Sequence, residues 1–123
     1  MLKFTSFNIS SIPLHLDSCI DQCVDVSGIR FDVLALCETR LNDAICTIYS
    51  IDGYESYFNN KNTAADGLAI YVNRSFGTNT PTNLSLQLPY IECLFLEITK
   101  LEPFLVDMIY RPPNSNLTVL FLL

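Results

Sequence analysis

Residues 31–41 read FDVLALCETRL. Val33 to Cys37 is a run of five apolar residues with no polar interruption, the length of a strand. A strand that is apolar on both faces belongs in a sheet covered on both sides. Glu38 follows it directly. A carboxylate next to a buried strand is costly unless it stands at an edge, is paired or meets a cation. The stretch therefore predicts a covered sheet whose strand ends in a polar site.

Working outward, Leu2 to Phe7 alternates loosely and reads as a strand. Ser10 to Pro13 forms a turn, and Pro13 suits the first turn of a helix. Leu16, Cys19, Ile20, Cys23 and Val24 recur at helical spacing on one apolar face, with Asp17, Asp21 and Gln22 outside. Gly28 is expected to close that helix. Downstream, Asp52-Gly53 marks a turn, Tyr54 to Phe58 a short strand and residues 59–67 a loop. Leu68 to Val72 is another strand. Glu92 to Ile98 and Phe104 to Tyr110 follow, with Leu84 to Leu88 a weaker strand between. Arg111-Pro112-Pro113 ends the last strand, because proline cannot donate to a ladder. Ser115 or Asn116 is expected to cap a final, wholly apolar helix running to Leu123. Strand, helix and strands in this order predict an α/β fold in a single domain over 1–123.

The chain has 123 residues, half of them hydrophobic, which excludes intrinsic disorder. Seven basic against thirteen acidic residues leave a net charge of -6. That balance argues against nucleic-acid binding through a broad basic patch. It leaves room for an acidic cleft in which a divalent cation supplies the positive charge. No apolar run approaches the roughly 18 residues of a membrane span, and the N-terminus lacks the apolar stretch of a signal peptide. The expected location is intracellular, nuclear or cytoplasmic. The N-x-S/T triplets at Asn8, Asn73, Asn83 and Asn116 then read as chance matches. Five cysteines (Cys19, Cys23, Cys37, Cys46 and Cys93) without a C-x-x-C pair are read as reduced thiols.

Three polar stretches leave strands, where α/β folds place their sites. They are Asn8 in SFNIS, Glu38 in LALCETRL, and Tyr110, Arg111 and Asn114 in IYRPPNSN. Glu38 could hold a hard cation such as Mg²⁺, which takes carboxylate oxygen and keeps several waters. Asn8 could orient a phosphate or a metal-bound water, and a tyrosine hydroxyl could donate to a phosphate oxygen. The plain alternative is a solvated glutamate and a half-buried tyrosine at ordinary strand ends.

Taken in order, F-N-I at Phe7 to Ile9, L-C-E-T-R-L at Leu36 to Leu41, G-L-A-I-Y-V at Gly67 to Val72 and Y-R-P-P-N at Tyr110 to Asn114 form a set. With GYESYFNN before Gly67, the set resembles the endonuclease domain of non-LTR (LINE-type) retrotransposons. Those domains belong to the endonuclease/exonuclease/phosphatase superfamily, with deoxyribonuclease I and the abasic-site endonucleases. The resemblance spans nearly the whole chain. It implies part of a four-layer α/β sandwich, namely one mixed sheet with its helix layer. It also implies a Mg²⁺- or Mn²⁺-dependent enzyme acting on DNA. Carried over residue by residue, Asn8 matches the asparagine at the scissile phosphate. Glu38 matches the metal-binding glutamate, and Tyr110 the residue that opens Y-x-P-P-N and approaches the phosphate. Arg40 and Asn114 lie within the motifs as supporting residues. Ser10 stands where relatives often carry Asp or Asn.

The family's D-x-N motif, which aligns and activates water, does not occur in this sequence, nor does its C-terminal S-D-H motif. The single histidine, His15, precedes Glu38 and is read as a surface or packing residue. The sequence therefore reads as the front half of such a domain, inactive alone. Its sheet would expose an apolar inner face, which predicts self-association. Two other readings compete. One is a phosphatase branch of the same superfamily, marked by activity on a small phosphomonoester but not on DNA. The other is a non-catalytic α/β interaction domain, marked by a melting temperature indifferent to Mg²⁺. Asp107 interrupts an apolar strand out of phase with Met108 and Tyr110, so it should face away from the site.

Overall fold

The computed structural model describes residues 3–21, 31–60, 67–79, 92–99, 103–111 and 116–122. Its elements are β1 (Phe4–Asn8), α1 (Ile12–Ile20), β2 (Val33–Cys37), a 3₁₀ turn (Cys46–Ile48), β3 (Tyr54–Asn59), β4 (Leu68–Asn73), β5 (Thr78–Asn79), β6 (Glu92–Ile98), β7 (Phe104–Arg111) and β8 (Asn116–Leu122). The strands form two four-stranded sheets, β1-β2-β4-β3 and β5-β6-β7-β8.

The first sheet is mixed: β1 and β2 are parallel, while β4 runs antiparallel to both β2 and β3. All five residues of β2 are buried, as its unbroken apolar run requires. Period-two alternation sends them to two different cores. Leu34 and Leu36 join Ile12, Leu16 and Cys19 of α1 and Tyr54 and Tyr71 in one cluster. Val33, Ala35 and Cys37 join Leu68, Ile70 and Val72 against Leu96, Val106 and Met108 of the second sheet. The described residues thus build three layers: a helix, a sheet and a second sheet. Tyr71 is anchored in the first core by donating to the Tyr49 carbonyl at 2.8 Å. Burial, with smaller contributions from Cys19 and Cys46, raises its pKa above the usual tyrosine range.

The helix begins where its chemistry dictates. Ser11 caps it, accepting from the Leu14 amide, and Pro13 occupies the first turn. Leu16 and Cys19 face the sheet, while His15 and Asp17 are exposed. The expected end at Gly28 and the weak strand at Leu84 to Leu88 lie outside the described residues.

Two expectations are overturned. The tail is not a helix: Asn116–Leu122 is β8, paired antiparallel along β7 from Arg111↔Asn116 to Leu105↔Leu122. β-branched Thr118 and Val119 favour a strand, and without this partner β7 would carry an unpaired edge. Nor is there a lone sheet with a bare inner face. The second sheet covers that face and forms the inter-sheet core. The apolar surface from which self-association was expected is therefore interior. Of the described cysteines, Cys19, Cys37 and Cys46 are buried and Cys93 is half-buried, with no disulfide among them. Among the described residues no helix is long and apolar enough to cross a membrane.

Candidate functional site

The two sheets lie with several strand exits at one end. Asn8 pairs with Cys37 in the parallel register, so β1 and β2 finish side by side. Since β3 and β2 are each antiparallel to β4, β3 ends there too, with Asn59 opposite Leu68 and Leu68 opposite Cys37. The Asn59 side-chain amide donates to the Cys93 carbonyl at 2.7 Å, tying this end to the start of β6. Tyr110, opposite Glu92 at the end of β7, belongs to the same end. The fold therefore brings Asn8, Glu38 and Tyr110 to one end, although Asn8 and Tyr110 are more than a hundred residues apart in sequence.

Their surroundings differ. Asn8 is exposed, and its Oδ1 accepts the Ser10 amide at 2.9 Å. An incoming acceptor would thus meet the Nδ2 amide. Glu38 is half-buried and Arg40 exposed. Tyr110 is only 1% exposed and packs within the inter-sheet core. Its side chain lies beneath the rim rather than on it. Asn114 lies outside the described residues. His15 is exposed on α1, as a surface role requires.

The backbone marks the same place. Among the described residues three non-glycine residues have left-handed conformations: Ser10 (φ 63), Glu38 (φ 54) and Arg40 (φ 56). Each conformation costs an L-residue on the order of 1 kcal/mol. All three stand just beyond the ends of β1 and β2. Hydrogen bonds between them over-determine the geometry. The Ile9 amide donates to the Cys37 carbonyl at 3.1 Å, and the Ile12 amide to the Thr39 carbonyl at 2.9 Å. Stored strain of this kind concentrates at functional sites.

Asn59, Thr39 and Gly67 are the residues at this end that sequence reading did not single out. Thr39 is fully buried, and its Oγ1 has no hydrogen-bond partner among the described residues. Glycine at position 67 (φ 128) faces it so closely that any Cβ there would collide with that oxygen. A conformation that only glycine adopts comfortably is a signal the sequence carried, inside GLAIYV.

Among the described residues no group of three or more His, Cys, Asp or Glu side chains could hold a metal. The donor set does not fit an all-protein cage. No protein-family model and no curated protein matches the chain.

Proposed function

We propose that this chain is part of a metal-dependent DNA endonuclease of the deoxyribonuclease I-like superfamily, of the LINE-type retrotransposon branch, and that it does not cut DNA by itself. The observation that carries the reading is the convergence of Asn8 and Glu38 on one strained end of the sandwich, with Tyr110 beneath. In this reading the outer face of β6 and β7, with half-buried Phe95, Leu105 and Ile109, takes a further helix layer that completes four layers.

Glu38 holds Mg²⁺ or Mn²⁺, which supplies charge stabilisation to the phosphate under attack. Asn8 donates through Nδ2 to a phosphate oxygen and orients the scissile group. Arg40, always charged and presenting a planar fork, meets a neighbouring phosphate. Asn114, in Y-R-P-P-N, is a supporting residue of its motif. Tyr110 carries the floor on which these groups stand. What the chain lacks is a base: it contains no D-x-N or S-D-H motif, and its one histidine sits on α1. Groups that act as a unit lose nearly all their rate when some are missing. The net charge of -6 keeps affinity for bare DNA low, and the expected setting is inside the cell.

The test is nicking of supercoiled plasmid in Mg²⁺ and in Mn²⁺, with Glu38→Ala beside the wild type. Soluble, folded protein that leaves the plasmid intact agrees with the reading. Nicking by the wild type that vanishes in Glu38→Ala would show a complete site and overturn the claim of inactivity. The second reading, a non-catalytic α/β interaction domain, draws on the acidic balance and the absence of the D-x-N and S-D-H motifs. A melting temperature unmoved by Mg²⁺ and Mn²⁺ would select it.

A further inference from the structure

We infer that Thr39 is the positioning residue of Glu38, seated against Gly67. The inference rests on the proposed role of Glu38 and adds the device that aims it. Thr39 stands between two left-handed residues, Glu38 and Arg40, and is the buried member of the trio: Glu38 half-buried, Thr39 buried, Arg40 exposed. Its backbone is held from both sides. The Thr39 amide donates to the Gly67 carbonyl at 3.3 Å, and the Thr39 carbonyl accepts from the Ile12 amide at the start of α1. The turn carrying Glu38 is therefore tied to both the helix and the start of β4.

The side chain completes the lock. Thr39 Oγ1 occupies the space where a side chain at position 67 would stand. Gly67 in turn lies against the Asn59 carbonyl, 3.7 Å from where its Cβ would be. The contact thus runs from the exit of β2, through the start of β4, to the exit of β3. A buried hydroxyl without a hydrogen-bond partner among the described residues adds little stability, so its placement calls for another explanation. Here it fills a gap that backbone bonds alone leave open, and it stops the Glu38–Arg40 turn from relaxing out of the left-handed region. Partners that orient a metal ligand typically contribute tenfold or more to metal affinity.

The experiment compares wild type, Thr39→Ala, Thr39→Ser and Glu38→Gln by two readouts. One is the ¹⁵N amide resonances of Glu38 and Arg40. The other is Mn²⁺ affinity by calorimetry. Thr39→Ala is expected to shift both resonances and weaken Mn²⁺ at least tenfold, while those of Thr78 and Ile98 at the far end of the sandwich stay in place. Thr39→Ser, which keeps the oxygen against Gly67, is expected to restore both readouts to near wild type. If Thr39→Ala does not fold, Thr39→Val, which keeps the bulk against Gly67, is read in its place, and it should leave both readouts near wild type. Unmoved Glu38 and Arg40 resonances in Thr39→Ala, or Thr39→Ser as defective as Thr39→Ala, would overturn the inference. Wild-type Mn²⁺ binding that Glu38→Gln leaves unchanged, beside resonances that Thr39→Ala does shift, would instead remove the metal role and keep the lock.

Discussion

The two sheets treat their outer faces differently. In the first, α1 and the segment around the 3₁₀ turn cover the outer face, so β2 is buried on both sides. In the second, Val106, Met108 and Tyr110 are buried toward the partner sheet, while Leu105 and Ile109 on the opposite face are half-buried. Among them sits Asp107, 7% exposed, with one oxygen lacking a hydrogen-bond partner among the described residues. Both strained strand exits leave the fully covered sheet. A left-handed glutamate persists only where rigid surroundings over-determine it, and the covered sheet supplies them.

The largest expected effect tests this difference in burial. Leu36→Ala, at a fully buried position of β2, should lower stability by about 2–5 kcal/mol. Ile109→Ala, on the half-buried face of β7, should cost only about 1 kcal/mol. Equal losses in urea unfolding would mean that the two outer faces are equally packed, and the comparison would break.

Asp107 gives the next effect. Burial raises its carboxyl pKa above the usual range. The folded state then holds its proton more tightly than the unfolded chain. The carboxyl is tolerated without penalty below the unfolded pKa, and stability falls as pH rises through the raised folded value. Asp107→Asn, which cannot ionise, should therefore stabilise the protein at pH 7. The gain should vanish in acid. A gain that is independent of pH would show that the carboxyl is not desolvated in the fold.

Smaller still, Ser11→Ala removes the cap of the helix that covers the first sheet. It should cost about 1 kcal/mol in thermal unfolding. No measurable loss would imply that packing on β1 and β2 holds α1 without its cap.

Much of this was legible in the sequence. The unbroken VLALC run announced a doubly covered strand, and the strands at Glu92–Ile98 and near Phe104 follow from their apolar content. Pro13 and the Leu16/Cys19 spacing located α1. Asp107 stands out of phase with Met108 and Tyr110 along β7, and those two lie in the inter-sheet core. The tail misled because TVLFLL is apolar on every side. Such a run has no period to choose between helix and strand, and pairing with β7 decides it. The second sheet was missed as a partner because local pattern cannot say that two sheets face each other. Asn8 and Glu38 stood out as polar residues after apolar strands, and the fold places them at the exits of β1 and β2. Asn59, Thr39 and the left-handed turns did not stand out, since a buried threonine and a strained φ acquire meaning only when Gly67 and Cys93 are brought beside them.

We propose that one end of the sandwich, organised around Glu38, takes a divalent cation. Paramagnetic broadening of the ¹⁵N amide spectrum by Mn²⁺ tests it most directly. Broadening centred on Asn8 to Ser10, Glu38 to Arg40 and the end of β7, and abolished in Glu38→Gln, is the predicted result. Broadening spread evenly over the acidic surface, or centred near Thr78 and Ile98 at the opposite end, would contradict the account.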